Sequence, residues 1–492
     1  MSSTYNIGLN ASLLMGAQSL NVQQTAISTI GNNISNINTP GYARQRVNIV
    51  TDQQTGVNGE LDMGSAISSV ESLRSPLLDS MVQQSLGAKG YADNQESLTS
   101  TVQDSLGEQF SSASSSSSTS TTSTGSGAIQ SAMSTFFSSL QSLASTPTDS
   151  SARAVVASDG TELTSAINSA YERLQSTQGQ IATAASATTT QINQLSSQIA
   201  SLNQQIEFAQ AASGEAANSL TDTRTADIQT LSGLVNISTT TQSNGMVNIT
   251  LADNSSVALV NGIDSNGAGT TQSLSATYNA NAAVPLTVSG STTGALGTGI
   301  PSGGSLGSDL DVANNVIGSP AASGNTGLLG AMDGVANQLI SQLNTQNKAG
   351  YDANGVAGGV FFTGTGAADI AVSSSITSDP SLIAAASAAN SPLDGSNALV
   401  MSQLQNSASI VPAFQTMVGN LGQTVSTAAS NQTTQDQVTQ QLQTQQASVS
   451  GVSLDEEMTN LINFQQAYSA SARFITIISG MFSTLNNIST AG

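Results

Sequence analysis

Chemistry has few residues to draw on in this chain. There is no cysteine and no histidine, so thiol nucleophiles, imidazole bases, disulfide frameworks and the usual zinc sites are excluded together. Asp352-Ala353-Asn354-Gly355 has the opening of a calcium loop. The glycine needed at the sixth position and a closing bidentate glutamate do not follow, so a turn is predicted. Gly355, Gly358, Gly359, Gly364 and Gly366 suggest a phosphate cradle, but no Gly-Lys-Ser/Thr ending accompanies them and a loop is predicted. Asp455-Glu456-Glu457 offers carboxylates of the kind a wall-cleaving hydrolase would pair. Its position is explained by helix capping instead: Ser453 and Glu456 form a capping-box pattern, and the acids sit on a helix's positive end. No catalytic, cofactor-binding or metal-ligating residue is assigned.

The elements around these residues are more informative. Leu13, Leu20, Ile27 and Ile34 recur at intervals of seven, as one seam of a helix that packs on another helix. Thr39-Pro40-Gly41 ends that helix, because Pro40 disfavours helical geometry before it and Gly41 can take the positive φ of a type II turn. At the far end Leu454, Leu461, Tyr468, Ile475 and Phe482 are again seven apart, with Phe464, Ile478 and Leu485 on the adjoining row. On periodicity alone the two seams form a hairpin that closes an ordinary globular domain. The other reading makes Leu13, Leu20, Ile27, Ile34, Leu461, Tyr468, Ile475 and Phe482 a subunit interface. Tyr42, Arg44, Tyr468 and Arg473 fit packing or interface roles better than a binding box.

Asn32-Asn33-Ile34-Ser35-Asn36-Ile37-Asn38-Thr39-Pro40-Gly41-Tyr42 resembles the rod-type signature of flagellar axial proteins. Ser450-Gly451-Val452-Ser453-Leu454-Asp455-Glu456-Glu457 and Phe464-Gln465-Gln466-Ala467-Tyr468-Ser469-Ala470-Ser471-Ala472-Arg473 are similar to the carboxyl end of one axial family, the hook-associated proteins of the hook-filament junction. Asn344 to Gly355 with Phe361-Phe362 is similar to an internal stretch of the same family. Rod and hook subunits, the alternative, share the first motif but usually end differently. The resemblance implies a structural role as a homo-oligomer in the flagellar axis, between the hook protein and a second junction protein. It also implies an export chaperone, export through the flagellum's own channel without a cleaved signal, and chain ends that are poorly ordered before assembly.

Composition is read independently. At 492 residues several domains are expected. Thirty acids against 9 bases give a net charge of -21, which argues against nucleic acid or anionic membrane as a partner. No apolar run approaches the roughly twenty residues that span a bilayer, so no membrane insertion is expected. The amino end lacks the pattern of a conventional secretory signal.

The predicted fold is α+β: an elongated multidomain protein, mainly long α-helices with coiled-coil terminal segments and a β-rich insert. Residues 1–50 and 448–492 are read as the terminal helical domain, 51–230 and 311–447 as a mainly helical rod, and 231–310 as an exposed β-rich insert. Val47-Asn48-Ile49-Val50 reads as a short strand, and Ser111 to Gly127 as a flexible Ser/Thr-rich excursion. Ile167, Leu174, Ile181, Leu195 and Leu202, with Ile192, Ile199 and Ile206, predict a helix from about Ser165 to Ala212, roughly 70 Å long. From Leu234 the period changes to two, and Asn244-Gly245 signals a hairpin.

Overall fold

The computed structural model describes residues 2–39, 41–56, 59–107, 128–213, 217–242, 244–263, 269–290, 294–295, 303–319 and 327–490. Pro40 and the Ser/Thr-rich stretch lie outside the described residues.

Helix α1 (Ser2–Ser35) ends at a turn in which Tyr42 N donates to Thr39 O at 3.2 Å. Gly41 has the positive φ, 78°, that the second corner of a type II turn requires. Strands β1 (Gln45–Gly56) and β2 (Gly59–Ser72) follow as an antiparallel hairpin, registered from Gln45 opposite Ser72 to Gly56 opposite Gly59. The sequence reading found only the apolar start of β1. The rest is polar, and its available cue was Asn58-Gly59, a hairpin pair. Helix α2 (Pro76–Leu106) begins at Ser75, whose Oγ accepts from Leu78 N at 3.5 Å, and stops at Gly107 in the left-handed conformation.

Helices α3 (Ala128–Ser145), α4 (Ser150–Ser213) and α5 (Asn218–Leu234) form much of the body. At 64 residues, α4 starts well before the expected Ser165 and is about 96 Å long at 1.5 Å per residue. Its early turns are recruited by packing: Val156 and Leu163 are fully buried. Gly160 lies under Phe136 and Phe361, members of a cluster with Phe137 and Phe362 whose ring centroids are 4.8 to 5.7 Å apart.

The period-two region forms two small antiparallel sheets. One has the order β3 (Ile237–Thr241), β4 (Val247–Leu251), β5 (Ala258–Ile263), β6 (Gly269–Thr270). The other has the order β7 (Leu274–Tyr278), β8 (Leu286–Gly290), β9 (Gly294–Ala295). Val247, Ile249 and Leu251 alternate inward as predicted, but they pack into the same core as Ile192 and Ile199 of α4. The sheets are therefore attached along α4 rather than held clear of it. Asparagine amides fix the attachment by mimicking a strand edge. Asn193 pairs with both backbone groups of Leu274, at 2.8 Å each, and Asn203 with those of Val247, at 2.9 and 3.2 Å.

Helix α6 (Gly304–Asp311) runs into a π-helical turn, Val312–Ile317, and α7 (Gly327–Ala349) follows. A loop region carries β10 (Phe362–Thr363), β11 (Ala371–Val372), α8 (Ser374–Ser378) and α9 (Ser396–Gln403). Helix α10 (Val411–Ser450) then returns along α2, and α11 (Leu454–Thr490) pairs with α1. The fold is α+β, dominated by long helices. Among the described residues its main apolar core runs from Val102 to Leu421 and takes nothing from α1, the β1–β2 hairpin or α11.

Candidate assembly interface

The two chain ends meet as the seams require. A β-carbon on Gly16 would fall 2.6 Å from Ile475 Cγ1, so α1 and α11 touch where α1 has no side chain, and Ser19 Oγ lies 2.9 Å from Ser471 Oγ. Ile475, Tyr468, Leu461 and Phe482 share this α1-facing side of α11, since residues seven apart drift only about 20° around a helix. Leu461 and Ile475 are half-buried, while Tyr468 and Phe482 are each 39% exposed. On α1 the buried stripe is Val22, Ala26, Ile30 and Asn33, and Leu20, Ile27 and Ile34 lie half-buried on its flank. Leu13 is exposed.

A polar clasp holds the pair at the inner end. Arg44 Nε donates to Glu457 Oε1 at 2.7 Å, while its two Nη atoms bond both oxygens of Glu456 at 2.9 and 3.0 Å. Glu457 is 1% exposed, and its other oxygen accepts from Asn33 Nδ2 at 3.1 Å. Asn33 Oδ1 accepts from the Tyr42 hydroxyl and Gln45 N at 2.8 and 2.9 Å. A carboxylate this deep needs a cation and further donors. Burial, with the charges of Asp222 and Glu457, pushes the Tyr42 hydroxyl up to about 12, so it stays a donor at neutral pH. Burial opposes the Arg44 charge, but hydrogen bonds and the charges of both glutamates raise its pKa overall.

Next to the clasp the turn rests on α5. Ala43 N donates to Asp222 Oδ2 at 3.5 Å. Arg74 donates to Asp222 Oδ1 from Nη2 at 2.8 Å and from Nε at 3.2 Å, and it also reaches the Gly41 carbonyl. Burial raises the Asp222 carboxyl and Arg74 works against that shift. An alanine at 41 would need an unfavourable φ and would set its β-carbon 2.9 Å from Ala226 Cβ.

The sequence assigned Glu456 and Glu457 to capping and Tyr42 and Arg44 to packing, without joining them. The missed signal was one motif arginine in a chain with 9 bases, facing three consecutive acids at the other seam. Also missed was the outward face of α11, where Met458, Ile462, Ile477 and Met481 are 46, 51, 62 and 53% exposed. Ile462, Phe474 and Ile477 line a shallow groove there with Arg473. The turn at Asp352 is present: its Oδ1 accepts from Asn354 N and Val356 N at 2.8 and 2.9 Å, with Gly355 at φ 75°. In the glycine-rich loop Asp369 accepts from Thr365 N and Gly366 N. Among the described residues no acid cluster could hold a metal ion, and no helix is long and apolar enough to cross a membrane.

Comparison with known proteins agrees with this geometry. The model of the flagellar hook-associated protein FlgK helical domain matches residues 115–362, just over half of the chain. The flagella basal body rod protein model matches residues 13–42, and the flagellar basal body rod FlgEFG protein C-terminal model matches residues 443–488. These two short matches fall on α1 with its turn and on α11 with the end of α10 before it. Flagellar hook-associated protein 1 of Bacillus subtilis is 28% identical, with 94% of each chain covered. The Escherichia coli protein of that name is 27% identical over 97% of this chain and all of its own. The solved flagellar hook junction protein FlgK from Burkholderia pseudomallei superposes with a TM-score of 0.58 at 17% identity, covering 75% of this chain and all of that one. The chain belongs to the flagellar hook-associated protein FlgK family.

Proposed function

We propose that this chain is a structural subunit of the hook-filament junction of the bacterial flagellum, and that it assembles by packing its paired terminal helices against those of neighbouring copies. The observation that carries this reading is the state of the ends: α1 and α11 are paired and clasped, yet large apolar side chains on both remain half-covered or open. Each one covered on assembly contributes at most about 1.5 to 3 kcal/mol, the value for burying a fully exposed side chain. Leu13, Leu20, Ile27, Ile34, Leu461, Tyr468, Ile475 and Phe482 lie along and beside the line where the two helices meet, and the outward row of Met458, Ile462, Ile477 and Met481 extends the contact.

In this reading residues 1–50 and 448–492 make the axial unit, together with the hairpin to Ser72 that packs on α1. Residues from Pro76 to 230 and 311–447 make the rod, with the β-rich part, 231–310, laid along α4. The subunit acts without catalysis, with Glu456 and Glu457 engaged by Arg44. Its partners are further copies of itself, the hook protein, the second junction protein and an export chaperone, and it leaves the cell through the flagellar channel without a cleaved signal.

The test compares wild-type protein with Ile475→Asp, which sets a charge beside Gly16. Incorporation at hook tips in a complemented deletion strain should fall below about a tenth, because an unpaired charge is costly in an apolar contact. The main thermal transition of the monomer should stay within about two degrees, since the main core takes nothing from α11. Normal incorporation would overturn the proposal.

A further inference from the structure

Two short links join the terminal unit to the body: Leu73-Arg74-Ser75 between β2 and α2, and Gly451-Val452-Ser453 between α10 and α11. The links are tied to each other through Arg44, whose N donates to Ser450 O and whose carbonyl accepts from Leu73 N, both at 2.8 Å. At the first link the unit is braced on α5. Asn218 Nδ2 donates to Val70 O at 2.7 Å, and the Arg74–Asp222 ion pair at 2.8 Å holds Gly41 and Ala43. The pair is largely shielded, with side chains 14 and 8% exposed.

Beside this brace lies a cleft of about 540 Å³ between α1 and α5. Its walls are hydroxyls and amides, among them Ser28, Asn32 and Asn36 on one side and Ser219 and Thr223 on the other. An apolar joint resists a change of angle because every lost contact exposes surface. A polar cleft offers little such resistance, so the brace carries the restraint.

We propose that the Asp222–Arg74 pair is a hinge lock that sets the angle between the terminal unit and the body, and that its release lets the unit swing about the two links into the cleft. A subunit built this way can present its terminal helices at more than one angle to a neighbour while both parts stay folded.

The chain has no cysteine, so Ser28→Cys and Thr223→Cys can carry one nitroxide label on each wall of the cleft. Pulsed electron spin resonance on the full-length monomer then reads the cleft width directly. The labelled parent should give one narrow distance distribution. Asp222→Asn and Arg74→Gln should each at least double its width or add a second, shorter population, with the helical circular dichroism unchanged. An unaltered narrow distribution in both variants would overturn the lock. So would loss of helical signal in both, because the pair would then hold the fold and not the angle. The readout needs no assembled flagellum, so it stands or falls apart from the assembly reading.

Discussion

In α4, Leu163, Ile192 and Ile199 are fully covered, whereas in α11 Ile462 and Ile477 are 51 and 62% exposed. Both are long helices with apolar residues at heptad spacing. Helix α4 has α3, α5 and two sheets against it, so its stripe is satisfied within the chain. Helix α11 has α1 on one side and a clasp at its start, and the remainder of its apolar surface faces outward. The body is built to be stable by itself. The ends are positioned by the chain, and in the assembly reading proposed above other copies complete them.

Four changes would break or sharpen that contrast. The largest effect should come from replacing Leu234 to Ser308 with a short flexible linker. An exposed insert would be dispensable, but this one contributes Val247, Ile249, Leu251, Leu274 and Leu286 to the core. At about 1.5 to 3 kcal/mol each, their loss removes roughly 10 kcal/mol, so cooperative melting should disappear. A body that still melts sharply would show the sheets to be separable after all.

Phe136→Ala comes next. Phe136 is fully buried against three other rings, and such truncations cost about 3 to 5 kcal/mol. Denaturant titration should show this loss in the main transition, while amide exchange along α11 stays as it was.

Arg44→Ala should do the reverse. It leaves Glu457 buried without its cation at a cost of about 3 kcal/mol, confined to the ends. Exchange in the first turns of α11 and the last turns of α1 should speed up more than tenfold with the main transition unmoved. A matching fall in that transition would mean that ends and body unfold as one unit.

The smallest effect is a gain. Asp309, 2% exposed, accepts from Asn94 Nδ2 at 2.7 Å, and burial lifts its carboxyl from 3.8 to about 6 despite that bond. The folded state therefore holds the proton more tightly than the unfolded one. Its contribution is fully present below about pH 3.8 and is lost as pH rises through about 6. Asp309→Asn keeps an acceptor for Asn94 and removes the ionisation. It should stabilise the body by at most about 3 kcal/mol at pH 7, at about 1.4 kcal/mol per pH unit, and by nothing at pH 3.5. Equal gains at both pH values would assign the effect to packing.

Periodicity by itself determined the two terminal helices, most of α4, the pairing of the two ends and the switch to strands near Leu234, because a seam of period seven or two is a local property of the chain. The turn at Gly41 and the acidic start of α11 were legible for the same reason. Whether a stripe ends up covered depends on what lies across from it, and that is not local. Tertiary packing extended α4 back to Ser150 over Gly160, laid the sheets along it through Asn193 and Asn203, and completed a polar hairpin whose alternation is weak. The clasp was decided in the same way. Arg44 and Glu457 stand 413 positions apart, and only the fold could join them, each ordinary in its own segment, into a buried ion pair flanked by Glu456.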